Sequence, residues 1–161
     1  MKSIAAILLL AASALAQVVH TGRELEGTWR LVSMEDTMTD GSVKPPERLG
    51  AHAIGFLMYE PDGHMCASIM NPDRRAWKDP GKPTNEEKIA YFDTLVAYCG
   101  SYKLDYEKSV VTHYPEVAWT PSYVGSKQVR PFKLEGKRLT ITVTDPLPGV
   151  SKRVLVWERA Q

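Results

Sequence analysis

The chain is poor in cysteine and asparagine and carries almost no charge bias. Its only cysteines are Cys66 and Cys99. That excludes a disulfide-dense scaffold and a cysteine-rich zinc module. The histidines, His20, His52, His64 and His113, are scattered with no metal-ligand spacing, so no metal is expected. Asn71 and Asn85 do not open N-x-S/T triplets, so N-glycosylation is not expected. Lys and Arg number 20 against 19 Asp and Glu. Without a basic excess there is no phosphate-binding surface, and nucleic acid is not an expected partner. The sequence has no G-x-S-x-G, P-loop or G-x-G-x-x-G motif, and no cofactor is expected.

Long apolar runs are also missing, with one exception at the start. "MKSIAAILLLAASALA" has a single Lys2, an apolar stretch from Ile4 to Leu15 and an A-x-A end at Ala14-Leu15-Ala16. It is short for a membrane span and reads as a secretory signal peptide, residues 1–16. One domain then covers residues 17–161, with secreted or periplasmic localisation expected and no membrane span. Removal of Lys2 brings acidic and basic side chains to equal number. In an exported protein, two cysteines are more often paired than free.

What is abundant is short β-rich segments between turn residues. They run over 27–36, 53–60, 64–70, 94–105, 108–117, 122–136, 137–145 and 152–159. Pro61-Asp62-Gly63 predicts a type I turn with a bulge joining the second and third as a tight hairpin. "TDGSVKPPERLGAH" and "NPDRRAWKDPGKP" read as loops. Thr84-Asn85-Glu86-Glu87 is a capping box opening a short helix to about Asp93. Glu86 and Glu87 favour the helix dipole there and need no catalytic role. The fold class expected is all-β: an eight-stranded antiparallel up-and-down barrel with one short helix between strands three and four.

Side chains alternate across a strand, so parity separates inside from outside. The hairpin register places Leu57, Tyr59, Met65, Ala67 and Ile69 inward. In 94–105 the inward set is Val96, Tyr98, Tyr102 and Leu104. In 137–145 it is Leu139, Ile141 and Val143. Cys66 and Cys99 then share the outer face of neighbouring strands, where a cross-strand disulfide is one outcome and two packed free thiols the other. In 122–136 the face opposite Lys127 and Lys133 holds Val124, Ser126, Gln128, Arg130, Phe132 and Leu134. A guanidinium on an inner wall needs a partner, water, a ligand or a rim position. The parity of 108–117 is ambiguous, leaving His113 either a structural residue or an acid–base candidate.

Together, "GTWRLVS", "AIGFLMYEPDGHMCA", "AYCGSYKLD", "VVTH" and "GSKQVRPFKLEGKRLTIT" resemble the lipocalin-like domain family of small bacterial and fungal proteins. The resemblance covers about residues 25–159. It implies a calycin-type barrel with an internal pocket. Gly27-Thr28-Trp29 is similar to the G-x-W start of true lipocalins, and Arg159 matches the late Arg that packs over that Trp. Trp29 and Arg159 then have a structural role, plugging the closed end. True lipocalins bind small hydrophobic ligands, while related barrels include isomerases and cyclases acting on polyketide- or terpenoid-like substrates.

Two functions follow as expectations. In the first, Tyr59, Met65, Tyr98, Tyr102, His113, Gln128, Arg130 and Trp157 form the site for a small hydrophobic or amphipathic molecule, with Arg130 favouring an anionic group. In the second, the same pocket is catalytic and His113 or a tyrosine is its acid or base. A weaker third reading makes the 71–83 loop, with Trp77 exposed, a protein-interaction surface.

Overall fold

A computed structural model describes residues 23–144 and 147–161. The leader assigned to residues 1–16, His20 and Asp145 lie outside the described residues.

The strands are β1 (Gly27–Met38), β2 (Val43–Lys44), β3 (Ile54–Tyr59), β4 (His64–Met70), β5 (Leu95–Asp105), β6 (Val110–Ala118), β7 (Gln128–Glu135), β8 (Arg138–Val143) and β9 (Val150–Arg159). Helix α1 (Asn85–Asp93) follows β4. Neighbours pair antiparallel, and β9 returns to β1 from Trp29↔Arg159 to Met38↔Val150. That pairing closes an eight-stranded barrel without free edges. The short β2 is an extra strand on the end of β1, with Asp36↔Lys44 and Thr37↔Val43. This corrects the expected order: α1 lies between the fourth and fifth strands in the chain, not the third and fourth. The stretch around Val43, rich in Gly and Pro, reads from sequence as loop, and the structure places a two-residue strand in it.

The capping box forms as the sequence requires. Thr84 Oγ1 accepts from the Glu87 N–H at 3.2 Å, and Glu87 Oε2 accepts from the Thr84 N–H at 2.8 Å. The β3–β4 turn also holds its register: the Glu60 N–H donates to the His64 carbonyl at 2.8 Å, and Tyr59 faces Met65. Gly63 supplies the positive φ of +90° that the turn needs. Leu57, Tyr59, Met65, Ala67 and Ile69 are all buried, with Leu139 and Ile141 meeting them from β8.

A second correction concerns the residues before β7. Ser122 does not begin a strand, because Pro121–Tyr123 forms a single 3₁₀ turn. Val124 is therefore half exposed rather than inward, and the strand itself starts only at Gln128.

Both ends of the barrel are defined by aromatic and charged groups. At the end where β1 begins, Trp29 is fully buried and its indole N–H donates to the Leu25 carbonyl at 2.8 Å. The Arg159 guanidinium lies 4.2 Å from the Trp29 ring centroid and donates to the carbonyls of Glu26 and Glu24, both at 2.6 Å. On the outer wall Cys66 stands opposite Cys99 in the β4–β5 register, and the two are joined by a disulfide. The bridge ties together the strands that flank the long 71–93 excursion.

Candidate functional site

The barrel encloses a cavity of about 90 Å³ between its sheet walls. Leu57, Ala67, Ile69, Ile141 and Leu155 give it an apolar surface, and Tyr98, His113 and Arg130 give it a polar region. A larger mouth cavity of about 250 Å³ lies towards the ends of β1 and β8 and shares Leu49, Val96, Tyr123, Val143 and Arg153 with the inner one. A mostly apolar concavity with a few oriented polar groups is the usual form of a small-molecule site.

The polar region is built from three strands. The burial pattern of β6 resolves the ambiguity in its sequence: Val111, His113 and Pro115 face inward, and His113 is 2% exposed. Both of its ring nitrogens are engaged, Nε2 with the Tyr59 hydroxyl at 2.8 Å and Nδ1 with the Tyr98 hydroxyl at 2.9 Å. Burial, reinforced by the positive charge of Arg130, pushes the imidazole pKa down to about 3. His113 is neutral at physiological pH, with one nitrogen protonated and the other an acceptor. Burial also holds the phenols of Tyr59 and Tyr98 well above their ordinary range.

Arg130, on β7, is nearly completely buried. It donates through Nη1 to the Val129 carbonyl at 3.0 Å and through Nη2 to Gln128 Oε1. Gln128 in turn donates to Ser126 Oγ at 2.7 Å. The cation is held in place by a polar chain along its own strand, which satisfies part of its desolvation cost. At the mouth a second arginine, Arg153, makes two bonds to the carboxylate of Asp36, 2.6 and 2.8 Å long.

The residues singled out from sequence divide into two groups. Tyr98, His113, Arg130 and Trp157 line the inner cavity. Tyr59 lies behind His113, and Tyr102 packs on Tyr59 at 4.8 Å between ring centroids while its hydroxyl donates to the Glu60 carbonyl. Met65 is core, and Gln128 holds Arg130. None of these four is a lining residue. Sequence reasoning missed Met34, Leu49, Tyr123 and Arg153. Arg153 was recoverable, because it shares parity with Leu155 and Trp157. Met34 was hidden by the register shift between Leu31 and Ser33, which turns the even positions of β1 inward beyond that point.

Trp77 is half-buried, with its ring 5.2 Å from that of Tyr91 on α1. It is not the open aromatic surface expected of the 71–83 loop. Among the described residues no group of three His, Cys, Asp or Glu could hold a metal ion, and no helix is long and apolar enough to cross a membrane.

A closed antiparallel barrel with a side-chain-lined interior cavity defines a lipocalin-type barrel protein. The chain belongs to the lipocalin-like domain family, whose family model matches residues 26–160. Among solved structures it is similar to a lipocalin-like protein from Bacteroides uniformis, at 13% identity over 84% of this chain and 98% of that one, with a TM-score of 0.43. It is similar to an uncharacterized protein from Bacteroides eggerthii, at 13% identity over 85% of this chain and 100% of that one, TM-score 0.43. It is also similar to the wild-type fluorescent protein UnaG, at 15% identity over 86% of this chain and 98% of that one, TM-score 0.39. Comparison with curated proteins finds no match.

Proposed function

We propose that the protein is exported and binds a small, largely hydrophobic molecule inside the barrel, with an anionic or oxygen-bearing group drawn towards Arg130. The observation that carries this reading is the interior cavity, apolar over most of its wall and polar at Tyr98, His113 and Arg130. Membership of the lipocalin-like family supports it. Export is supported by the A-x-A end of the leader and by the Cys66–Cys99 bridge, since such bridges persist in oxidising compartments.

The isomerase or cyclase alternative uses the same pocket. It is weaker because its best acid–base candidate, His113, has both nitrogens held by tyrosines and a strongly depressed pKa. Binding needs no such titration.

Fluorescence titration with N-phenyl-1-naphthylamine, an apolar probe that brightens in a dry site, tests the reading. Wild-type protein brightens the probe saturably. Ala67→Leu, which fills the cavity wall, weakens uptake by about tenfold while far-UV circular dichroism is unchanged. Equal uptake by the two proteins would place the probe outside the barrel and count against the proposal.

A further inference from the structure

Tyr59 is buried on the far side of His113 from Tyr98, and the function just proposed gives it no part. We propose that Tyr59, acting through a neutral His113, fixes the direction of a hydrogen-bond chain so that the Tyr98 hydroxyl is a donor towards the cavity. The polar region then accepts a ligand headed by an anionic hydrogen-bond acceptor, a carboxylate or phenolate, over a neutral alcohol, and discriminates against an amine. The inference rests on the cavity-binding reading and specifies its ligand chemistry.

A neutral imidazole offers one N–H and one lone pair, and each of the two phenols offers one O–H and an accepting oxygen. Two arrangements satisfy the observed contacts. In the first, Tyr59 O–H donates to Nε2, and Nδ1–H donates to the Tyr98 oxygen. In the second, Tyr98 O–H donates to Nδ1, and Nε2–H donates to the Tyr59 oxygen. Each arrangement leaves one hydroxyl hydrogen over.

The surroundings decide which hydrogen that is. Tyr59 is fully buried, and its hydroxyl has His113 as its one hydrogen-bond partner among the described residues. In the second arrangement its hydrogen would be sealed in the core without an acceptor, which is disfavoured. Tyr98 borders the cavity, where an occupant or water can accept. The first arrangement therefore prevails, with His113 protonated on Nδ1. The spare hydrogen belongs to Tyr98, and the Arg130 charge acts on the same phenol. Donors and positive charge together favour an anionic oxygen and oppose an ammonium group.

Tyr59 is thus a positioning residue that does not line the cavity. Long-range ¹H–¹⁵N correlation spectra of histidine-labelled protein read the tautomer directly, without a ligand. The expected result is Nδ1–H at His113, and an Nε2–H tautomer overturns the proposal. Calorimetric titration near neutral pH with decanoate, decanol and decylamine reads the consequence. Decanoate is expected to bind at least about tenfold more tightly than decylamine. That ratio is expected to fall by about fivefold or more in both Tyr59→Phe and Tyr98→Phe. The ratio is the telling quantity, since a merely structural loss weakens all three probes alike. A wild-type ratio near one, or a ratio unchanged in Tyr59→Phe, overturns the proposal. Decanol binding as tightly as decanoate leaves the cavity reading standing and this inference fallen. No binding of any probe removes both. If the variants fail to fold, the wild-type tautomer and ratio still decide.

Discussion

The guanidinium of Arg159 lies over the indole of Trp29, 4.2 Å from the ring centroid, and bonds two backbone carbonyls of the segment leading into β1. One side chain at the end of the chain therefore fastens the first turn of the barrel, covers its closed end and continues the β9–β1 seam. Arg159→Ala removes a cation–π contact and two charge-assisted hydrogen bonds. The expected destabilisation is about 2–4 kcal/mol, measured by urea unfolding. Arg159→Lys recovers only part of it, because an ammonium cannot match the planar fork.

The outer wall carries the second prediction. The Cys66–Cys99 bridge closes a loop with a sequence separation of 33. Loop-closure entropy for that length corresponds to about 3–4 kcal/mol. Unfolding of the Cys66→Ser/Cys99→Ser protein, compared with the unreduced wild type, is expected to show a loss of that order.

His113 makes stability fall in acid. Its pKa is about 3 in the folded protein against an ordinary value near 6.5. Between those values the unfolded chain takes up a proton that the folded protein refuses. Stability is therefore highest above about pH 6.5 and declines as pH drops towards 3, by about 3–5 kcal/mol from this group. Surface carboxylates with lowered pKa, such as Asp40 and Asp62, add to the acid slope in any variant. The difference between wild type and His113→Gln isolates the histidine, and the variant is expected to have the shallower pH dependence of unfolding free energy. NMR of the wild type is expected to show no titration of His113 from about pH 8 to 5.

At the mouth, the Asp36 side chain is 4% exposed and that of Arg153 19%. Removing one partner strands the other's charge in a shielded place. Asp36→Ala is expected to cost about 3–5 kcal/mol, whereas Asp36→Leu with Arg153→Met costs much less. A double-mutant cycle on urea midpoints separates the two outcomes.

Much of the barrel was legible because two local devices set register. The Pro61-Asp62-Gly63 turn pairs Tyr59 with Met65, and every inward residue of β3 and β4 follows from it. The Thr84 capping box starts α1 where the sequence indicates. Legibility failed where parity was interrupted or indistinct. The irregularity at Leu31/Ser33 hid Met34 and Asp36, and the short β2 pairing has too few residues to leave a pattern. In β6 apolar residues occupy both parities. The opposite strand decides: inward Tyr102 and Leu104 pair with His113 and Val111, and the irregularity lies on β6, where Glu116 is left unpaired beside Gly100, whose Cβ would stand 2.0 Å from the Tyr114 carbonyl. The site was half legible for a related reason. Parity identifies inward side chains, but depth along the barrel decides which of them line the cavity. Tyr59 and Met65 lie in the filled part, while Leu49 enters from a loop that has no period to read.

Native mass spectrometry of the unreduced protein, purified from its own host without detergent, shows whether the barrel holds a small molecule. The expected result is a mass above that of the chain which falls to the bare value on denaturation, with the released compound apolar over most of its surface. A bare native mass that stays bare after incubation with decanoate means that the barrel holds no such molecule.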